Sequence, residues 1–502
     1  MMKNQKFRTK RICVLCALAL ALLLSLTGCG KEDPKAAVKS ATTATITNLT
    51  KIGEQLELGE IRSMAATGSY HGEMELYLKE ADIGTDLSGF YGSGFSVSMD
   101  SDIQNRKISA NMGLRVADYD AMNMKLFLLD NTLYFTCPEL TGGHLLGINT
   151  ETLSQDLPDA NIDESENFNY FEMISEHTDE NGKFTLSADT LKAMKDAYDA
   201  MSDASTWATA EETELTVADI SGKCKTYTLT IPAEEARNFL LNMMTAFFND
   251  DYCSKVLQGV LSEELYYYDS YEQYVEENLD ELKASLEEEL TQDVTAVFYV
   301  KDKMLRGVDF TLSNDETLMA FGLRFGMDKN PANYISLTVR DENDEELRVV
   351  SSGDHIMNAG KFTDKTAVTF KDSESEETIL TLDTDYDAES GAYIVELSLD
   401  PEGDLVTVRA AGNLSVDGKT MELTFDSIHV ITAEADVAFG GKYSVSESTG
   451  VEADVTGAEM ISDMTEEAQE ELGTEMENNI TILILTLANR VPAIADMLGM
   501  SY

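Results

Sequence analysis

Basic residues are scarce in this chain of 502 residues. Lysine and arginine together number 37, against 91 aspartates and glutamates, which gives a formal net charge of -54 at pH 7. A field of this sign repels phosphate backbones and anionic lipid headgroups. The composition therefore excludes nucleic acid as a partner, and any approach to a membrane has to come from something other than a basic face.

Residues that carry common catalytic motifs are also few. The five histidines are scattered along the chain, at His71, His144, His177, His355 and His429. The sequence contains no His-Glu-x-x-His, no Gly-x-Ser-x-Gly elbow, no P-loop and no dinucleotide-binding fingerprint. The single tryptophan, Trp207, leaves little aromatic surface for stacking sugars. We predict from these absences a protein that is not an enzyme and that uses no cofactor.

The acidic run at 383–387 is the nearest approach to a metal-binding motif. It imitates the start of an EF-hand calcium loop, but Ala388 occupies the sixth position, where that loop needs glycine, and Ile394 occupies the twelfth, where it needs glutamate. We interpret the run as the end of a hairpin with exposed carboxylates and predict no metal site.

Cysteine and proline are too rare to indicate a disulfide framework or the boundaries between domains. Three of the six cysteines lie at or before residue 29, which leaves Cys137, Cys224 and Cys253. An odd number is not a disulfide framework, so either Cys224 and Cys253 form one bridge or all three are small buried hydrophobic residues. With only 7 prolines and no long flexible linker, domain boundaries are hard to place.

The strongest local signal lies at the N-terminus. A basic segment between Lys3 and Arg11 precedes an apolar run at 12–24, which is too short for a permanent membrane span. The run leads to Leu26-Thr27-Gly28-Cys29, which resembles the lipobox of bacterial lipoproteins. The resemblance implies that residues 1–28 are a signal peptide and that Cys29 carries lipid such as palmitate. It also implies attachment to the cell membrane on its extracytoplasmic face. The alternative is a plain signal peptide with a chance cysteine.

After the tether and first helix at 29–52, the sequence alternates between apolar and polar residues, which is typical of half-buried strands. The clearest strands are at 70–78, 95–99, 108–116, 124–129 and 133–137, and short turns between them predict an antiparallel meander over 53–312. Helical spacing interrupts it at about 141–210 and 232–292, and a hairpin with its turn at Ser221-Gly222 lies between these insertions.

The remaining strands, at 313–456, either continue the same sheet or form a second β unit. They include a hairpin whose Asp417-Gly418 favours a type I′ turn. Residues 457–502 turn helical, and we interpret the apolar run at 480–488 as part of a buried terminal helix, because it is too short to span a membrane.

Three segments, 133–140, 225–232 and 297–305, are similar to segments of clostridial lipoproteins grouped with the LolA/LppX-type lipoprotein fold. That resemblance implies an α+β, mainly antiparallel protein in which a long curved meander sheet forms a half-barrel capped by helices. It also implies a concave apolar face that holds acyl chains.

The 23 methionines suit such a surface, because flexible thioethers accommodate varied apolar ligands. The ligand-lining candidates are Met99, Met112 and Met124 on strands and Phe239, Met243 and Phe247 on a helix. Two functions follow from the sequence. One is a lipoprotein that binds lipid or a lipid-modified molecule; the other is a structural lipoprotein with a filled core that meets another protein of the cell envelope.

Overall fold

The computed structural model describes residues 33–49, 56, 58–156, 169–171, 186–209, 211–250, 253–254, 257–258, 268, 270–313, 318–341, 345–358, 360–372, 375–400 and 405–497. Cys29 lies outside the described residues. Strands dominate the regular structure and are joined mainly in antiparallel pairs, with several helices beside them. The α+β, mainly antiparallel class predicted from the sequence is therefore confirmed.

The helices are α1 (Pro34–Leu49), α2 (Gly59–Thr67), α3 (Pro138–Thr141), α4 (Leu153–Asp156), α5 (Ala188–Ala204), α6 (Ala233–Phe248), α7 (Tyr271–Glu289), α8 (Glu466–Arg490) and α9 (Pro492–Met497). The strands are β1 (Ser69–Asp82), β2 (Gly94–Asp102), β3 (Lys107–Val116), β4 (Tyr119–Leu129), β5 (Thr132–Thr136), β6 (Leu146–Asn149), β7 (Thr206–Thr209), β8 (Thr213–Val217), β9 (Ile220–Ile231), β10 (Val294–Lys301), β11 (Met304–Ser313), β12 (Leu318–Phe325), β13 (Tyr334–Arg340), β14 (Glu346–Asn358), β15 (Lys361–Lys371), β16 (Glu376–Asp387), β17 (Ala392–Leu399), β18 (Val406–Asp417), β19 (Thr420–Ile431), β20 (Asp436–Glu447) and β21 (Glu459–Met460).

The chain divides into two compact units, and each is built from two separate stretches of sequence. Unit 1 contains Met1–Gln55 and Leu186–Asp383, and unit 2 contains Leu56–Thr185 and Thr384–Tyr502. The strands at 313–456 are therefore shared: those up to β15 belong to unit 1, those from β17 onward belong to unit 2, and the division falls inside β16.

Unit 1 is an antiparallel sheet with helices packed on one of its faces. Strands β9 to β15 pair in chain order, and β7 and β8 both pair with β9. Residues of α1, α5, α6 and α7 share one hydrophobic core with side chains from β9 to β13. The middle helices thus cover the apolar face of a sheet, as their amphipathic pattern predicts.

Local sequence explains where these helices begin. The Ser187 hydroxyl caps α5 by accepting a hydrogen bond from the backbone N–H of Thr190 at 3.1 Å. Pro232 directly precedes α6, and Glu234 and Glu235 occupy its first turn, where the helix dipole favours negative charge.

Unit 2 is also built mainly from antiparallel strands, and its middle joins the two distant parts of its sequence. Strand β1 pairs with β2 on one side and with β20 on the other. From β2 the pairing continues through β3, β4 and β5 to β6, and from β20 it continues through β19 and β18 to β17. Strand β21 adds a short parallel pair with β6.

Two sequence predictions are corrected. The β8–β9 turn lies at Ala218 and Asp219, because Val217 pairs with Ile220, and the predicted turn residues Ser221 and Gly222 are inside β9. Ala218 adopts a left-handed φ of 49°. Glycine at this position would have indicated a turn, whereas alanine rarely adopts a positive φ and gave no such indication.

The apolar part of α8 was predicted to be buried, and this is wrong. Its side chains Ile480, Ile482, Ile484 and Leu485 are exposed, whereas Ala488 is buried. None of the described helices combines the length and the apolar character that crossing a membrane requires. Cys137, Cys224 and Cys253 are buried and free, which decides between the two alternatives for the cysteines.

Candidate functional site

One face of the unit 2 sheet carries rows of apolar side chains that cross several strands. In an antiparallel pair, residues directly opposite each other point to the same face. Met74 on β1 lies opposite Tyr443 on β20 and Val97 on β2. Val97 lies opposite Met112 on β3, which lies opposite Met124 on β4. These registers place a continuous apolar row across five strands.

A second row runs beside the first through Leu76, Phe95, Leu114 and Met122. Four large side chains in the two rows, Met74, Phe95, Met112 and Leu114, are between 38% and 40% exposed. Together with Val97 and Met124, these four define the apolar patch. Large apolar side chains grouped this way on a surface are characteristic of binding sites.

Helix α2 covers the same face only at one corner. Its Ile61 and Met64 pack against Val445 of β20 and against Tyr70 and Met421. The described part of α2 therefore protects the neighbouring rows, while the apolar patch keeps its exposed side chains.

The other face of these strands is polar. Residues of β1 to β4 and Lys442 of β20 line a depression of about 310 Å³ there. The Lys442 ammonium lies 3.5 Å from a Glu73 carboxylate oxygen. The apolar patch and this depression are thus on opposite faces of one sheet, because successive side chains of a strand alternate.

The structure divides the six predicted ligand-lining residues between the two units. Met99, Met112 and Met124 share one face of unit 2, since Met99 pairs with Ala110 in the row next to that of Met112. Phe239, Met243 and Phe247 are on α6 in unit 1. Phe239 is only 2% exposed, Met243 packs against the same core, and Phe247 is half-buried.

The helix-covered face of unit 1 is filled rather than open. The rings of Phe298 and Phe310 and those of Phe310 and Phe321 meet edge to face, at centroid distances of 6.4 Å and 5.9 Å. All three rings are buried in the core that contains Phe239. The described residues beneath α6 therefore form a packed core.

The opposite, polar face of unit 1 contains a cavity that the sequence did not reveal. It is an open cavity of about 550 Å³ between strands β11 to β14 and residues 216–218 at the tip of the β8–β9 hairpin. The hairpin is fixed there by a small separate core in which Leu215, Val217 and Cys224 pack with Met327. Arg324, Arg340 and Arg348 line the cavity together with Asp309 and Glu346.

The charges at one end of this cavity are closely paired. The Arg324 Nη2 lies 2.6 Å from Asp309 Oδ1, and its guanidinium lies over the Tyr299 ring at 5.5 Å. The Tyr299 hydroxyl donates to Asp309 Oδ2 at 2.9 Å. Burial, and then the negative charge of Asp309, raise the pKa of Tyr299 to about 12. Tyr299 therefore stays protonated and holds Asp309 in place.

The only sequence signal for this cavity is the arginines themselves, which are spaced along strands in a chain poor in basic residues. The acidic run 383–387 lies at the end of β16. Within the described residues, no group of three or more histidine, cysteine, aspartate or glutamate side chains is placed to hold a metal ion.

No protein-family model and no curated protein matches the chain. Among solved structures, a mutant of the Rh. blastica porin aligns with 75% of this chain and 98% of its own, at 7% identity and a TM-score of 0.18. A mutant of the vaccine antigen transferrin binding protein B from Haemophilus parasuis Hp5 aligns with 76% of this chain and 75% of its own, at 10% identity and a TM-score of 0.10. TM-scores this low support no inference about this chain, whose function has to follow from its own residues.

Proposed function

We propose that the protein is a non-catalytic lipoprotein, held on the extracytoplasmic face of the cell membrane through Cys29, that binds a lipid or another apolar ligand on unit 2. The lipobox-like sequence before Cys29 supports the anchor. The main support for a ligand is the apolar patch, whose four most exposed side chains are 38% to 40% exposed. The antiparallel sheet with helices on one face is compatible with the LolA/LppX-type fold that the sequence resembles.

The chemistry of the patch favours acyl chains over a rigid apolar ligand. Met74, Met112 and Met124 lie in one row, and unbranched thioether side chains adapt to ligands of varied shape. An extended chain laid across β1 to β4 would contact one member of this row on each strand.

The size of the patch limits the affinity. A single acyl chain of about ten methylenes with half of its surface on the patch gains about 4 kcal/mol, which corresponds to a dissociation constant of about 1 mM. We therefore propose a ligand with two acyl chains, met at the membrane surface where the anchor concentrates the protein.

A structural or interaction lipoprotein is the second candidate, and one observation favours it. The helix-covered face of unit 1 is a filled core, which suits a tethered scaffold that meets another envelope component and carries no ligand.

Solvent extraction of the detergent-free protein, followed by mass spectrometry, tests the proposal directly. We expect a co-purifying lipid that is not covalently attached. Titration with a pyrene-labelled phosphatidylcholine, which carries no net charge, then compares Met112→Asp with Asn111→Asp, which adds the same charge on the other face of β3. We expect Met112→Asp to weaken binding at least about tenfold and the control to change it less than about twofold.

Equal binding by the two variants, or no lipid binding by the unaltered protein, would support the scaffold instead. The anchor is tested separately by Cys29→Ser. We expect that variant to lose incorporation of labelled palmitate and to retain its leader.

A further inference from the structure

We propose that the cavity of unit 1 is a binding site for an anionic group, a phosphate or a carboxylate, with Arg348 as its principal contact and Arg340 and Tyr334 beside it. This site is in the other unit and does not depend on the function proposed above.

The cavity differs in charge from the chain as a whole. The chain carries a net charge of -54, yet the cavity is lined by three arginines and only two carboxylates, Asp309 and Glu346. A positive lining inside a strongly acidic protein attracts an anion at short range, where low-dielectric walls concentrate the field.

The strand registers bring these groups to one face. Gly322 on β12 pairs with Asp309 on β11 and with Thr338 on β13, and Thr338 pairs with Arg348 on β14. These four residues therefore form a row along the cavity. Gly322 has no side chain to fill the floor of the cavity, where a Cβ would lie 3.4 Å from Asp309 Oδ1.

The three arginines differ in how many of their donors are used. Arg324 is occupied, since it pairs with Asp309 and its Nη1 donates to the carbonyl oxygens of Val308 and Leu323. Arg340 is shared, because its Nη2 lies 2.6 Å from a Glu346 carboxylate oxygen and its side chain is half exposed.

Arg348 is the one with donors to spare. It forms no ion pair with any residue that the structure describes, and its one hydrogen bond runs from Nη2 to the Tyr334 hydroxyl at 3.4 Å. A guanidinium has five N–H donors in a fixed fork that matches carboxylate and phosphate oxygens.

The Tyr334 hydroxyl completes the site. Because its oxygen accepts from Arg348, its own proton remains available to a ligand oxygen. Thr338 and Ser336 add hydroxyls on the cavity wall, and Val217 and Ala218 add an apolar edge. A volume of about 550 Å³ suits a small organic anion.

The test is calorimetric titration of the full chain with three probes: inorganic phosphate, glycerol 3-phosphate and succinate. Arg348→Gln removes one charge and the fork, and Arg348→Lys keeps the charge. Arg409→Gln removes one charge outside the cavity, where Arg409 lies 3.9 Å from Glu396. We expect Arg348→Gln to weaken binding at least about tenfold, Arg348→Lys by less, and Arg409→Gln by less than about twofold.

Vesicles with and without phosphatidylglycerol form a further arm. Binding only to phosphatidylglycerol vesicles that is lost in Arg348→Gln would place the anionic group on a lipid headgroup, whereas binding of the soluble probes would place it on a solute. No binding of any probe at about 10 mM, or equal losses in Arg348→Gln and Arg409→Gln, would overturn the proposal. Because Arg348 is exposed, we expect the unfolding of its variants to match that of the unaltered protein.

Discussion

His144 shows how one side chain links distant parts of unit 2. Its Nδ1 lies 2.7 Å from a Glu459 carboxylate oxygen on β21, and its Nε2 lies 3.9 Å from Glu475 on α8. Hydrogen bonding to Glu459 is the main cause that raises the pKa of His144; burial opposes it, and the charges of Glu459 and Glu475 add to the increase.

This shift predicts a pH-dependent contribution to stability. The pKa of the folded state lies above the unfolded value of about 6.5, so the contribution is fully present below pH 6.5 and is lost as pH rises through the folded pKa. We expect His144→Gln to lower the urea midpoint at about pH 5.5 and to change it much less at about pH 8. An equal change at both pH values would show that the charge of His144 contributes nothing.

Two phenylalanines show that residue type and strand position do not determine burial. Phe298 and Phe95 both lie on alternating strands, yet Phe298 is in the filled core of unit 1 and Phe95 is an exposed member of the apolar patch. Alternation tells which residues share a face, and it located Met99, Met112 and Met124 on one. Whether helices cover that face depends on contacts distant in sequence, which alternation does not encode.

At the scale of elements, strands with clear alternation were predictable and their register was not. The sequence placed strands over much of β1, β3 and β4. It also predicted the β18–β19 hairpin, but Asp417 pairs with Thr420, so the turn residues are Gly418, with a φ of 58°, and Lys419. A type I′ turn needs a positive φ at both turn residues, and only Gly418 has one, so the predicted turn type is wrong. The arginine-lined cavity depends on Thr338 facing Arg348 across a connection that carries no turn motif. Because this register could not be predicted from the sequence, the cavity could not be predicted either.

Helix α8 has one exposed face and one buried face. Ile482 is 59% exposed, whereas Ala488 is 1% exposed. We expect Ile482→Glu to change the free energy of unfolding by less than about 0.5 kcal/mol. We expect Ala488→Glu to lower it by about 3 kcal/mol or more, because the variant buries a carboxylate without a partner.

Urea unfolding followed by circular dichroism compares these two variants, which add the same charge to the same helix. A large loss of stability in Ile482→Glu would contradict the exposure of that face.

For the whole molecule, the division into units was beyond sequence reasoning. Each unit combines residues from both halves of the chain, and β1 pairs with β20 more than 300 residues away. The alternation of apolar and polar residues in β1 would fit a neighbouring strand from the same hairpin as well as a strand distant in sequence. The distant strand is selected by the total apolar surface that the complete sheet buries.

Net charge leads to a prediction for the protein as a whole. With 91 acidic and 37 basic residues, like charges repel one another more in the compact state than in the unfolded chain. Ion pairs oppose this trend, as between Lys192 and Asp196 at 2.6 Å. Exposed pairs contribute only about 0 to 1 kcal/mol each, so the excess of acidic residues decides the sign.

We therefore expect added salt to stabilise the protein. Raising NaCl from about 10 mM to about 100 mM shortens the screening length from about 30 Å to about 10 Å. The free energy of unfolding in urea should rise by on the order of 1 kcal/mol over that range. KCl should give the same increase if screening is the cause, whereas a larger effect of one cation would indicate specific binding. A fall in stability with either salt would mean that ion pairs outweigh the repulsion among the acidic residues.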